Sequence, residues 1–238
     1  MEIGGDLEAR ESGRGPLECD GQLRLVDAHV RGSASLSGVR LTAPHRDAFN
    51  GDRLRIGGEL YLRRIRCAGT LRLQNAEIGA TLDCTDAVFS RPRFRPWPDG
   101  PPAAQNPLQV RPSLDARAAS VGKDLLLLGV RAPGGIRIRR MDARKSVQIV
   151  GARLGGPGAR YALNAYGITT AELVVELAET PRGVVRLEQA HVGAFRDSAT
   201  LWSGRPAIGS ILLDGFVYET LNSTGGVDVH TRLRWIGR

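Results

Sequence analysis

The chain has 238 residues, 42% of them hydrophobic and only 5% aromatic, with three cysteines and a formal net charge of +8. No C-x-x-C and no Cys/His cluster at metal spacing occurs, which argues against a disulfide framework or a zinc site. The longest purely apolar run, Leu125 to Val130, is far short of the roughly 18 residues a membrane-spanning helix requires. The cationic charge is almost all arginine, lysine occurring only at Lys123 and Lys145. Abundant Arg, Ala and Gly fit GC-rich coding, while a basic surface favours acidic partners, anionic membrane or nucleic acid over acid-bearing ones.

The segment Met1 to Asp6 has no basic region followed by an apolar stretch, so a secretory signal is not expected and a cytoplasmic location is. An eleven-residue unit then begins: Gly21-x-Leu23-x-Leu25-x-x-Ala28-x-Val30, followed by Gly32-x-Ala34-x-Leu36-x-x-Val39-x-Leu41. It returns from Gly58, Gly69 and Ala80, and again through Leu114, Leu125, Ile136 and Val147. Apolar residues at unit positions 3, 5, 8 and 10 form two alternating pairs, each reading as a short half-buried strand. Asp27, Asn75 and Asp86 at position 7, and glycines near unit boundaries, suit the sharp corners between them.

Strands this short cannot bury an apolar face alone, so the pattern predicts an all-β, right-handed β-solenoid. Two units make one quadrilateral coil of about 22 residues, and roughly six coils at ~4.8 Å give a body on the order of 30 Å long. A leucine-rich repeat needs 20–29 residues per copy, about twice what is present here. A two-sheet sandwich is the remaining alternative. One domain, 1–238, is expected, interrupted by two insertions at 43–57 and 91–111. After residue 155 the pattern loosens, and 214–238 is expected to be a C-terminal cap with a short helix.

The second insertion holds Arg91, Arg93, Phe94, Arg95 and Trp97 on a proline-stiffened loop, a set suited to gripping an anion, a base or a partner strand. Its aromatics folding back onto the solenoid flank is the competing reading. Outward position 4 carries Arg72, Arg137 and Arg186, which share a face if the insertions preserve coil parity. The stripe is interrupted by Asp115 and Ser35, which favours a solvated charged face over a binding stripe. Arg63-Arg64 and Arg139-Arg140 fall at corners, where long charged side chains are easily solvated. His29 and His191 take outward position 9, and Glu77, Asp83 and Asp86 lie in adjacent units but face differently. No G-x-G-x-x-G follows a strand, so no cofactor and no metal is expected.

The coil logic resembles that of degenerate pentapeptide-repeat proteins. The L-x-L-x-x-A-x-I-G coils, together with Leu213-Asp214-Gly215-Phe216-Val217-Tyr218 and Arg232-Leu233-Arg234-Trp235-Ile236, are similar to an actinobacterial family labelled membrane-associated oxidoreductases. That resemblance implies a redox activity and a peripheral place at the membrane. The DNA-mimicking pentapeptide proteins need an acidic surface, which this chain lacks. The residues themselves point to a non-catalytic scaffold presenting a rigid flank and two loops to a protein or acidic ligand, with nucleic acid as a weaker candidate. A self-assembling solenoid is a third reading.

Overall fold

The structure, a computed structural model, describes residues 1–9, 15–90, 110–202 and 211–224, together with His230. It is an all-β solenoid of about seven turns with one short helix, Ala199–Trp202, among the described residues. Every strand pairs in parallel with the strand one coil away, and four strand sites recur per coil. The result is four columns of stacked rungs. The first runs through Ile3, Val30, Ile56, Ile78, Val121, Ala143 and Thr170. The second runs through Leu7, Ala34, Leu60, Leu82, Leu125, Val147 and Leu173. Cys19, Leu41, Cys67 and Phe89 begin the third column, and Leu23, Phe49, Leu71, Leu114 and Ile136 the fourth.

Where no residues are inserted, partners stand 22 apart in sequence, as for Ile56 with Ile78 and Leu60 with Leu82. Alternation turns positions 3, 5, 8 and 10 inward, where they form one continuous core. Each fully buried Leu, Ile or Val contributes on the order of 1.5–3 kcal/mol. A single rung gains little from burial until another covers it, so stability is a property of stacked neighbours.

Corners are set by backbone conformation. Position 7 lies in the left-handed region throughout, with φ of 53° to 57° at Asp27, Arg53, Arg64, Asn75, Asp86, Ala118, Arg140 and Gln189. The position-8 amide donates back to the position-5 carbonyl across this turn, as from Ala76 to Leu73 and from Met141 to Ile138. Asp and Asn tolerate the conformation, whereas Arg and Ala carry a cost of roughly 1–2 kcal/mol that only the stacked neighbours can offset. The other corner type is limited by space. A Cβ on Gly79 would sit 2.1 Å from the carbonyl oxygen of Gly57, so the rungs touch backbone to backbone.

Two expected boundaries change. Within 43–57, Phe49, Leu54 and Ile56 are core residues at positions 3, 8 and 10, so the extra residues lie only between Leu41 and Phe49. Gly51 hides the unit by occupying an inward leucine position. A Cβ there would meet the Phe49 ring at 2.7 Å, so the phenyl group fills the space. Within 214–238, Val217–Thr224 is a further rung paired with His191–Ser198. Gly215 is its left-handed corner, and Phe216 packs edge-on against Phe195 at 5.1 Å. The rest of that segment, including Arg232 to Ile236, lies outside the described residues apart from His230.

Extra residues leave the solenoid repeatedly at the corner between the third and fourth columns. There the chain passes from Leu41 to Phe49, from Phe89 to Leu114 and from Leu154 to Leu163. The chain therefore leaves and rejoins the coil between the third- and fourth-column faces. Among the described residues no helix is long and apolar enough to cross a membrane.

Two substitutions test this architecture by urea denaturation. Ala118→Gly relieves a left-handed non-glycine corner and should raise stability by about 0.5 kcal/mol after the added unfolded-state entropy is deducted. Leu82→Ala should cost about 3 kcal/mol. A destabilised Ala118→Gly would contradict the corner geometry.

Candidate functional site: an arginine and tyrosine face

Register places Arg72, Asp115, Arg137, Asn164 and Arg186 on successive rungs of the fourth column, all pointing outward. The three expected arginines do share a face, with Asp115 and Asn164 between them. Ser35 belongs to the second column, paired with Glu8 and Tyr61, and interrupts nothing here. The five candidates of the second insertion, Arg91, Arg93, Phe94, Arg95 and Trp97, lie outside the described residues.

The three arginines are in unlike surroundings. Arg72 contacts Asp52 at 2.6 Å and Asp47 at 3.6 Å, and Asp47 also holds Arg111 at 2.8 Å. The hydrogen bond to Asp52 raises the pKa of Arg72 above the usual arginine range. This end of the face is a charge-compensated brace between coil and insertion. Arg186 is hydrogen-bonded to Glu188 through Nε.

Arg137 differs from both. Among the described residues its only carboxylate within 4.0 Å is Asp115 at 3.5 Å, and that buried group also accepts from Arg117 at 2.9 Å and Gln74 at 3.1 Å. Burial, reinforced by repulsion from Arg117 and Arg139, holds the pKa of Arg137 below the usual range despite the pull of Asp115. The group remains a cation at neutral pH, but one that has lost much of its water. Charged groups in that position gain more than exposed ones from an added counter-charge.

Two tyrosines complete the cluster. Arg139, from the coil before, and Arg186, from the coil after, lie 5.4 Å and 4.5 Å from the centre of the Tyr166 ring, and Arg160 lies 5.1 Å from that of Tyr161. Cation–π contact lets the arginines approach without stacking directly on one another. The Nε of Arg139 is buried and makes no hydrogen bond to any described group. Its corner therefore departs from the expectation of an easily solvated side chain.

Arg137, Arg160, Tyr161 and Asn164 line a narrow cleft of about 30 Å³, floored by Gly134, Gly135 and Ile136 and walled by Val110 and Pro112 from the insertion. Gly135 has φ +78°, and a Cβ there would fall 1.9 Å from the Tyr161 carbonyl oxygen, so the floor admits no other residue without rearrangement. Among the described residues the ion pairs of Arg117, Arg137, Arg139, Arg160 and Arg186 thus reach only Asp115 and Glu188, which makes the described part of the region cationic around a small recess. Such a site can hold an anion by charge and hydrogen bonds.

Sequence reasoning missed Tyr161, Tyr166, Arg139 and Arg160. Arg139 sits at a corner of the recognised Ile136 unit, whereas Tyr161 and Tyr166, with Arg160 just before them, belong to the unit Leu163-x-Ala165-x-x-Ile168-x-Thr170, which keeps the apolar spacing at positions 3, 5 and 8 but ends in threonine. Thr170 is buried there because its hydroxyl donates to backbone carbonyls of Lys145 and Glu172. The surviving Leu-x-Ala-x-x-Ile spacing was the available signal.

A larger groove of about 470 Å³ runs along the first-column face past His29, Arg55, Glu77, Ser120, Asp142 and Arg144. Its charges are mixed, with Arg55 and Glu77 3.4 Å apart, so it offers volume without a preferred ligand charge. His29 and His191 are exposed on that column. Asp83 is buried and held by Arg63 at 2.5 Å, while Glu77 and the corner residue Asp86 are exposed elsewhere, so the three acids do not converge. Among the described residues no group of three or more His, Cys, Asp and Glu side chains is placed to hold a metal ion.

Cys67 and Cys84 are core residues, as their inward positions require, and Cys19 packs at the core edge. Burial pushes the Cys67 thiol up to about 12 and raises that of Cys84 further above its ordinary value. Both stay protonated and poorly nucleophilic in the folded chain.

Comparison with protein-family models, with curated proteins and with solved structures finds no match to this chain.

The thiols give a pH prediction. An acid whose folded pKa is raised contributes stability that is complete below its unfolded value, 9.0, and is lost as pH rises toward the folded value near 12. Unfolding midpoints should therefore fall between pH 9 and 10.5, and fall less in the double variant Cys67→Val, Cys84→Val. Equal slopes in the two proteins would contradict it.

Proposed function

We propose that this protein is a non-catalytic β-solenoid scaffold that binds an acidic segment of a partner protein on its fourth-column face. The observation that carries this reading is Arg137: a partly desolvated cation whose nearest carboxylate is shared with Arg117 and Gln74, at the edge of a recess lined by two adjacent rungs and the residues that lead into Leu114. Exposed carboxylates of a partner can enter the recess and restore the missing counter-charge. The tyrosines supply broad, rigid contact area beside it, the residue type that interfaces favour together with arginine.

The solenoid supplies rigidity. Its rungs hold the guanidinium groups at fixed spacing, so little order has to be imposed when a ligand arrives. The insertions, which leave at the adjoining corner, bring Arg160, Tyr161, Val110 and Pro112 to the rim. This pattern places a variable edge on a constant frame, the usual arrangement in repeat-built binders.

Isothermal titration with a hexaglutamate peptide at low salt tests the reading. Wild type should bind saturably, and the double variant Arg137→Gln, Arg160→Gln should bind at least tenfold more weakly, since charge-assisted hydrogen bonds are worth roughly 1.5–3 kcal/mol each. Equal affinity in the two proteins would remove the fourth-column face as the binding surface.

A further inference from the structure

The third-column face carries a second charge pattern, separate from the recess. Its outward positions read, rung by rung, Glu18, Arg40, Arg66, Val88, Arg131 and Arg153. All six are exposed. Arg40 is paired with Glu18 at 2.7 Å. Among the described residues no carboxylate lies within 4.0 Å of Arg66, Arg131 or Arg153.

In-register like charges on neighbouring rungs repel. Arg131 lies directly beside Arg153, and Arg40 beside Arg66, so the fold bears this repulsion without an internal counter-charge for three of the four. Arginine-rich composition alone would scatter such residues. On the other faces arginines meet acids: Arg63 meets Asp83 and Arg196 meets Glu172 along the second column, Arg55 meets Glu77 on the first, and Arg72 meets Asp52 on the fourth. The third column differs in that three of its arginines have no such acid within 4.0 Å among the described residues.

The ladder is also narrow. At ~4.8 Å per rung it runs about 19 Å along the solenoid axis from Arg40 to Arg153. Of the outward residues that follow it, Thr42, Ala68 and Ser90 are uncharged and Asp20 at the Glu18 end is acidic, while the preceding corner carries Arg64 and Asp86. A flat anionic bilayer is matched by a two-dimensional cationic patch. An extended acidic peptide turns alternate side chains away from any one surface. A phosphodiester strand carries a charge on every unit along one line, as this ladder does.

We propose that the third-column face binds the phosphate backbone of a single nucleic-acid strand laid along the solenoid axis. Arg66, Arg131 and Arg153 make the phosphate contacts, with Arg40 joining when it releases Glu18. Binding is independent of sequence, because no aromatic or amide side chain stands in the ladder to read a base.

Fluorescence anisotropy with a labelled oligothymidylate of about 20 nucleotides tests this across a salt series from about 25 to 200 mM. Three or four phosphate contacts predict a log–log slope of about −2 to −3 for wild type, and Arg131→Gln with Arg153→Gln should make the slope shallower by about 1.4. That variant should also bind at least tenfold more weakly at about 50 mM salt, with its urea midpoint unchanged or raised. The Arg137→Gln, Arg160→Gln protein should bind the oligonucleotide as wild type does, which separates this surface from the recess. Three results would each overturn the proposal. They are no saturable binding at about 50 mM salt with ~100 µM protein, an unchanged slope in the ladder variant, and tighter binding to phosphatidylserine-containing vesicles than to the oligonucleotide.

Discussion

Every rung of this molecule depends on the one beneath it. The backbone amides and carbonyls of a two- or three-residue strand find partners on neighbouring coils, and the inward side chain is covered only when the next coil repeats the position. Register is therefore fixed by two demands at once. A slip of one residue would turn Leu60, Leu82 and Leu125 outward together and bring charged neighbours into a dry column. The same constraint explains why Arg53, Arg64, Ala118 and Arg140 hold a left-handed corner that their side chains disfavour. Stacking on both sides determines the turn, and local preference yields.

Because the core takes only the inward positions, the outward ones are free to vary rung by rung. That freedom has been used differently on each face. Near Arg72 the fourth column is braced by Asp47 and Asp52, whereas near Arg137 and Arg139 cations outnumber the acids that face them among the described residues. Tyr166 between Arg139 and Arg186 lets three coils present positive charge without direct cation-on-cation stacking. The first-column groove, although larger, balances Arg55 against Glu77 and stays electrostatically indifferent. Size alone does not mark the site.

The coil was legible wherever the side chains at positions 3, 5, 8 and 10 were aliphatic, and the 22-residue period followed from that spacing. It failed where packing was done by an unusual residue. Gly51 reads as loop until the Phe49 ring is seen occupying its space, and Thr170 reads as surface until its hydroxyl is seen bonded to two carbonyls. The motif Leu213 to Tyr218, distinctive in isolation, is one more unit with Gly215 at the corner and Phe216 inside. The shared face of Arg72, Arg137 and Arg186 could be anticipated from parity, but their different charge environments could not. Those depend on Asp47, Arg111 and Arg160, which arrive on insertions whose path no periodicity describes. The arginine ladder of the third column was spelled out at position 9 or its equivalent in several units, yet it emerges as a line only once Phe89 and Ala132 are known to flank the same corner.

Methyl NOE spectroscopy on protein with labelled leucines addresses the stacked architecture most directly. Cross-peaks should link Leu60 to Leu82 and Leu82 to Leu125, forming one chain of contacts down the second column at the rung spacing of about 4.8 Å. Absence of both links, with Leu82 instead touching residues of an opposed sheet and no rung neighbour, would contradict the solenoid and every surface built upon it.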